Sequence, residues 1–425
     1  MTKIGLIVVD PGHFHAALAQ KEMYPNVAET VHVYAPVGFD LVDYLTRIAR
    51  FNTRAEAPTS WRLEVHSGND FVDRMTREKP GDAAIFAGRN DEKIDMIARA
   101  VDAGLHVLSD KPMIIRRDQL PALAAVLETA AAKGLVVLDM MGGRQEVTRS
   151  LTRLLHADKE VFGEQVAGSA AEPGVAMTSV HHLMKIVAGV PNPRPPWYFD
   201  VRQQGDSLAD IGTHLVDRVH GTLFPETALD AGRDIAVEAV RRWPTMLDRA
   251  QFRQVTGEMD WPAYLHEVVA GDTLAYQCNT HLDYAVRGIH VGLDMVWEWL
   301  EPVGGGDIHT ETWRGTRARI ELRHGPGEGW KPQLYVVPLA EIGAALERHI
   351  AALAATYPRL GLERREGEWR ITIPDVLRIG HDAHFRQLTK GFLARIEHHE
   401  PLTSIEQANL LAKYYVTTAA EAAAV

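Results

Sequence analysis

The sequence predicts an α/β fold in which a parallel, doubly wound sheet comes first and a β-rich region follows. Three observations carry this. Over roughly the first 140 residues, short and uniformly apolar runs alternate with helix-patterned stretches. After about residue 145 that alternation gives way to longer β-type segments. The length, 425 residues, suits two domains at about 100–200 residues each, or one large one. Composition is 46% hydrophobic and 24% charged, which removes disordered, collagen-like and fibrous readings.

The strands expected in the first region are residues 4–9, 31–34, 83–86, 106–108 and 135–138. They lack polar alternation, as strands covered on both faces do. Residues 91–103 place Ile94, Ile97, Ala98 and Val101 at helical spacing, and Gly104 closes the segment. Residues 119–133 form a second Ala/Leu-rich helix stopped by Gly134. A helix over 146–155 opens the later region, and β segments are expected at 235–240, 273–282, 285–299 and 317–323. Around Val296, Trp297, Glu298 and Trp299 the residues alternate, as in a strand with one solvated face. Residues 385–396 and 404–422 read as helices, the second with Ser404 as N-cap and Gln407 completing a capping box. The Pro-rich stretch 191–196 reads as a rigid loop, and Gly304-Gly305-Gly306 as a tight turn between strands. The expected division is 1–145 and 146–425.

Charge and special residues bound the function. With 45 Lys+Arg against 56 Asp+Glu, the net charge of −11 argues against a nucleic-acid partner. The single cysteine, Cys278, excludes an intrachain disulfide and a Cys-rich zinc site. The apolar run at the start is ended by Asp10, too early for a signal-peptide core or a membrane span. A cytoplasmic location with no membrane partner is therefore expected. Histidine, at 20 residues, is over-represented, and imidazole serves equally as proton carrier, metal ligand or packing.

The first strand runs into Asp10-Pro11-Gly12-His13-Phe14-His15 and then a helix. A dinucleotide-binding fold places its phosphate loop there, with pyrophosphate on a helix N-terminus. Only the central glycine of G-x-G-x-x-G is present: Asp10 replaces the first and His15 the third. Asp10 would repel a phosphate if it pointed inwards, and a protonated or donating His13 or His15 would offset that. A plain strand-to-helix turn is the competing reading. The second strand ends Tyr34-Ala35-Pro36 without an acid for the ribose, and Asp40 comes a few residues late, so NAD and NADP stay undistinguished.

Asp110-Lys111-Pro112 follows the strand over 106–108, which puts a lysine where ligands bind in parallel sheets, or alternatively a strand-end salt bridge. Asp210, His214 and Asp217 stand at i, i+4 and i+7 and share one helix face. A carboxylate one turn from an imidazole can orient it and raise its basicity, as a general base requires; a capped helix with a packed histidine is the plainer reading. His181, His182 and Lys185 interrupt an apolar stretch ahead of this helix, followed by Trp197 and Asp200. Polar groups beside an aromatic plate suit a sugar or polyol; interface packing is the alternative.

Together, the Asp110-Lys111-Pro112 and Asp210–His214 motifs resemble those of the glucose–fructose oxidoreductase / inositol dehydrogenase (Gfo/Idh/MocA) family. The stretch from Ala98 to Pro112 is similar to its fifth-strand signature, with Asp110 in place of the usual Glu. Residues 205–218 resemble its glycine-led catalytic helix, and Phe162-Gly163 and Thr312–Thr316 are similar to parts of its C-terminal half. The chain resembles a divergent branch with an extended C-terminal region.

The resemblance implies an N-terminal Rossmann domain joined to a C-terminal α/β domain with a large, mostly antiparallel, open-faced sheet, and an active site between them. It implies Lys111, Asp210 and His214 as the catalytic set. His214 would be the base, Lys111 would stabilise developing alkoxide, and Asp210 would orient the histidine or a neighbouring hydroxyl. It implies cofactor contacts from Gly12, His13, Phe14, His15, Ala87, Gly88, Asp110, Lys111 and Pro112, with NAD as cofactor and NADP open, and no metal. His181, His182, Lys185, Trp197 and Asp200 are the expected carbohydrate contacts. The activity implied is hydride transfer at a hydroxyl carbon of a sugar, glycoside or cyclitol, either as simple oxidation or within a redox-assisted glycoside cleavage. A homodimer or homotetramer through the open sheet is expected. Two readings compete: a metal-dependent lyase or hydrolase drawing on His13, His15, His181, His182, His214 and Asp210, and a non-catalytic dinucleotide or sugar sensor.

Overall fold

The computed structural model describes residues 3–187, 190–191 and 193–422; residue 192 of the Pro-rich loop lies outside them. The chain packs as two compact units. The first runs to Gly142 and includes Arg202–Gly205 and Gly380–Thr418; the second comprises Gly143–Val201, Asp206–Ile379 and the residues from Ala419 on. Patterning drew a single division near residue 145. By packing, two later segments also belong with the first unit.

The first unit is built on six strands: β1 (Ile4–Val9), β2 (Val27–Ala35), β3 (Arg62–Ser67), β4 (Ala83–Phe86), β5 (His106–Ser109) and β6 (Val137–Asp139). They are all parallel, in the order β3-β2-β1-β4-β5-β6. That is the doubly wound dinucleotide-fold order, with its switch point between β1 and β4. Leu6, Val8, Val31, Val33 and Ile85 pack with Phe385, Phe392, Leu393 and Ile396 of the helix His381–His398. On the other face, Ile7, Val9, Phe86 and Val107 pack with Leu123 and Val126 of the helix Leu120–Lys133, and with Leu410 and Tyr414 of the helix Ser404–Thr417. Cover on both faces is why these strands read as unbroken apolar runs; each large side chain so buried contributes about 1.5–3 kcal/mol. Strand β3 was not expected, because as an edge strand it keeps most of its residues in solvent.

One cap differs from expectation. Thr403, not Ser404, is the N-cap: its Oγ1 accepts from Glu406 N at 3.2 Å, and the Glu406 carboxylate accepts from Thr403 N at 2.8 Å. Gln407 donates instead to the carbonyl of Leu402.

The second unit holds a large, mostly antiparallel sheet. Its early members are β7 (Val175–Met184), followed by a two-residue pair β8 (Ile186–Val187) and β9 (Val190–Pro191) that stands apart. Then come β10 (Ile235–Asp248), β11 (Val269–Ala270), β12 (Thr273–Val286), β13 (Ile289–Leu300), β14 (Ile308–Arg314), β15 (Ala318–His324), β16 (Gln333–Pro338), β17 (Gly361–Arg365) and β18 (Glu368–Thr372). The order is β10-β12-β13-β7-β14-β15-β16-β18-β17, with β11 on β12 and β13–β7 paired in parallel. The β12–β13 hairpin turns at Arg287-Gly288, not near 283–284, because both residues take positive φ (49° and 76°) and so close a two-residue turn of the hand that matches strand twist. Among the described residues, no helix is long and apolar enough to cross a membrane.

The expected helix bearing Asp210 and His214 is present as Ser207–Asp210 followed by Gly212–Leu223, with Ile211 still helical in φ and ψ between them. Asp206 starts it: its carboxylate accepts from Leu208 N at 3.0 Å and Ala209 N at 3.1 Å.

Candidate functional site

The site residues expected from sequence fall into two groups, one in each unit. In the first unit they gather at the C-terminal ends of β1, β4 and β5, where open α/β sheets bind ligands. Asp10 adopts φ 45° and is buried. Its carboxylate lies on Gly88, where an added Cβ would sit 1.9 Å from Oδ2, and it accepts from Arg89 N at 3.2 Å. Burial pushes its pKa up. Asp10 is thus tied to the neighbouring loop. Arg89 in turn comes within 3.7 Å of Asp40, an arginine the sequence had not placed there.

His13 and His15 both turn onto Asp110. Nδ1 of His13 lies 2.7 Å from Oδ2, and Nδ1 of His15 lies 2.8 Å from Oδ1. Burial lowers the His15 pKa to about 3, against the opposing pull of Asp110. Burial of Asp110 is outweighed by the two imidazoles, which hold its carboxyl well below the usual range. Lys111 N donates to Asp110 Oδ1 at 2.9 Å, and the Lys111–Pro112 bond is cis. Phe14 packs against both histidines, 4.4 and 4.6 Å from their ring centres. The helix after this loop, His15–Leu18, is one turn long, shorter than the expectation of a phosphate-binding helix assumed.

In the second unit a cavity of about 300 Å³ is lined by Ser179, His181, His214, Arg218, Asp307 and His309, with Glu146 and Arg149 at its wall. Strand alternation sends His181 and His182 to opposite faces of β7. Only His181 lines the cavity, its Nε2 3.1 Å from Ser179 Oγ and its Nδ1 3.1 Å from Asp307 Oδ2. His182 is fully buried, with Nδ1 3.5 Å from Asp307 Oδ1. Lys185 Nζ reaches the same carboxylate at 2.5 Å. Burial would raise the Asp307 pKa, but His181, His182 and Lys185 hold it far below the ordinary range.

Asp210 accepts a hydrogen bond from the Tyr198 hydroxyl at 3.0 Å. His214 faces Gly143, whose added Cβ would sit 3.7 Å from Nδ1. Asp217 is held by Arg144 at 3.0 Å and Arg149 at 2.8 Å. Trp197 and Asp200 are buried and are not among the cavity-lining residues, nor are His182 and Lys185. Trp297 is the aromatic beside His181, at 5.1 Å.

Sequence reading missed Ser179, Asp307, His309, Arg218 and Glu311. Ser179 was visible as the i−2 partner of His181 on one strand face. The others come from a loop (Asp307), a strand (His309 and Glu311) and a helix (Arg218) that no local pattern links. The histidines do not form one ligand set: His13 and His15 converge on Asp110, whereas His181 and His182 converge on Asp307.

No curated protein sequence matches the chain. A sequence family described as "Putative oxidoreductase C terminal domain" matches residues 151–425. A crystal structure described as "a putative oxidoreductase from Parabacteroides merdae" is 40% identical, covers 99% of this chain and 97% of its own, and superposes with a TM-score of 0.95. KijD10, a 3-ketoreductase from Actinomadura kijaniata solved with NADP and TDP-benzene, is 14% identical over 97% of this chain and 95% of its own, with a TM-score of 0.57. GenD2 from gentamicin A biosynthesis, solved with NAD, is 16% identical over 100% and 95%, with a TM-score of 0.59. These last two share the fold. By the family match over residues 151–425 and the paired Lys111 and Asp210–His214 motifs, the chain belongs to the oxidoreductases of the glucose–fructose oxidoreductase / inositol dehydrogenase family.

Proposed function

We propose that this protein is an NAD(P)-dependent oxidoreductase that moves hydride between the nicotinamide and a hydroxyl-bearing carbon of a sugar, glycoside or cyclitol. The cavity of the second unit carries the reading: about 300 Å³, walled by His181, Ser179, Asp307, His309 and His214, it offers hydroxyl-sized hydrogen-bond partners on several sides. The first unit supports the cofactor. Its strand order has the dinucleotide switch point, and the loops carrying Gly12, Gly88 and Asp110–Pro112 all lie at strand ends on that edge. KijD10 and GenD2, which share the fold, hold NADP and NAD.

The cofactor, when bound, supplies the hydride chemistry. His214 is assigned as the base that takes the hydroxyl proton, and Lys111 as the cation that stabilises alkoxide charge. Asp210 fixes the Tyr198 hydroxyl, the neighbouring-hydroxyl role. His181 is held by Asp307 through Nδ1, and a substrate hydroxyl would take its Nε2 in exchange for the Ser179 hydroxyl. Burial lowers its pKa, keeping a neutral ring that can both donate and accept. The open sheet of the second unit is the proposed homo-oligomer contact, and light scattering showing a monomer would remove it.

The deciding experiment is binding of NADH and NADPH followed by fluorescence, then a screen of sugars and cyclitols for reduction of bound NAD(P)⁺ at 340 nm. Release of an aglycone from a glycoside without net NADH would select the redox-assisted cleavage. No binding of either dinucleotide at millimolar concentration would sink the proposal.

A further inference from the structure

We propose that His13, His15 and Asp110 form a site for one divalent transition-metal ion of the zinc, manganese or iron(II) class. Their donor atoms lie within 4.8 Å of one another. The set has the two-imidazole, one-carboxylate composition that suits such ions and leaves further coordination positions open. Its geometry is assembled from two distant parts of the chain. His13 and His15 flank Phe14 on the loop after β1, with ring centres 4.1 Å apart. Asp110 directly follows β5 and is anchored by Lys111 N. Asp110 and His15 are buried and His13 is half-buried, so the cluster is walled by protein and open on one side. Both imidazoles present Nδ1 to separate oxygens of one carboxylate. An ion entering there would replace two N···O contacts with metal bonds of about 2.0–2.2 Å, each neutral ring shifting its proton from Nδ1 to Nε2.

A second observation says what the ion would do. In this loop Gly12 N already donates to Asp10 O at 2.9 Å, and His13 N to Ala87 O at 2.6 Å. Two of the backbone donors on which a glycine-rich loop relies to hold a diphosphate are therefore spent inside the protein. A divalent cation on His13, His15 and Asp110 would supply the missing positive charge, with its open positions taken by diphosphate oxygens. This part of the inference rests on the NAD(P) reading; the metal site itself does not.

Protein stripped with chelator and titrated calorimetrically with Zn²⁺ or Mn²⁺ alone, without dinucleotide, should bind one ion per chain at micromolar concentration. His13→Ala should weaken that binding at least tenfold, and Asp110→Asn should abolish it, with circular dichroism confirming the fold of each. His66→Ala should leave it unchanged, since His32, Glu64 and His66 form the other candidate cluster among the described residues. No binding at 100 µM metal, or full binding by a folded His13→Ala protein, would overturn the site. Metal-loaded protein should bind NADH at least tenfold more tightly than stripped protein. Equal affinity would overturn the diphosphate role while leaving the NAD(P) reading intact. Absence of dinucleotide binding in both forms would overturn the NAD(P) reading and leave the metal titration to stand by itself.

Discussion

Arg218 places its Nε 2.7 Å from Oε1 of Glu311, and the two side chains are 7% and 0% exposed. His309 Nε2 lies 2.6 Å from the same oxygen, and Trp313 Nε1 donates to the other at 3.0 Å. Burial alone would raise the Glu311 pKa; Arg218 and His309 bring it down to about 2. An unfolded chain protonates a glutamate near its ordinary value of about 4.3, and the native chain does so only near 2. Between those values the unfolded state holds more protons, so the stability present above the higher one is lost as pH falls towards the lower. The contribution is about 3 kcal/mol. Denaturant melts from pH 6 to 2 should show this loss, and Glu311→Gln should flatten it while lowering stability at pH 7.

His214→Ala should cut turnover by about 10²–10⁴, the usual worth of a positioned general base. Lys111→Met should also lower kcat steeply, through loss of charge stabilisation. Dinucleotide affinity in His214→Ala should stay within about twofold of wild type. Unchanged kcat in either variant, measured with a confirmed substrate, would remove the assigned role.

Asp307→Ala leaves the Lys185 ammonium and the His181 and His182 imidazoles without the carboxylate they share. A loss of about 2 kcal/mol is expected from the unmet polar groups. KM should rise more than kcat falls, because His181 loses its orientation. Steady-state kinetics beside thermal melts would separate the two effects, and Asp307→Asn should recover part of the KM.

Gly88→Ala would force a methyl to within 1.9 Å of Asp10 Oδ2. The Asp10 carboxylate would have to leave the Arg89 amide, and with overpacking the cost should be about 3 kcal/mol. Asp10→Gly in the same chain should relieve only the side-chain part, because the carbonyl oxygen of residue 10 still lies 2.4 Å from the methyl position, and a double-mutant cycle would detect that partial coupling.

The strand–helix alternation, the continuous apolar runs of β1, β4 and β5, and the 3.6-residue spacing around Asp210 and His214 were all legible in the sequence. Each is written by neighbours in the chain, through backbone periodicity and burial of one face. Edge strand β3 was not legible, because its solvated side chains carry no apolar signal. The β12–β13 turn was misplaced, because Arg287 takes positive φ without the usual asparagine or aspartate. Residue identity likewise pointed to His13, His15, His181 and His214, while leaving their partners open. What joined His15 to Asp110, His181 to Asp307 and Arg218 to Glu311 was the folding of segments about 95 to 130 residues apart along the chain. Local pattern determines which face a side chain takes. Only tertiary packing decides which charge is buried beside it, and hence its protonation and chemistry.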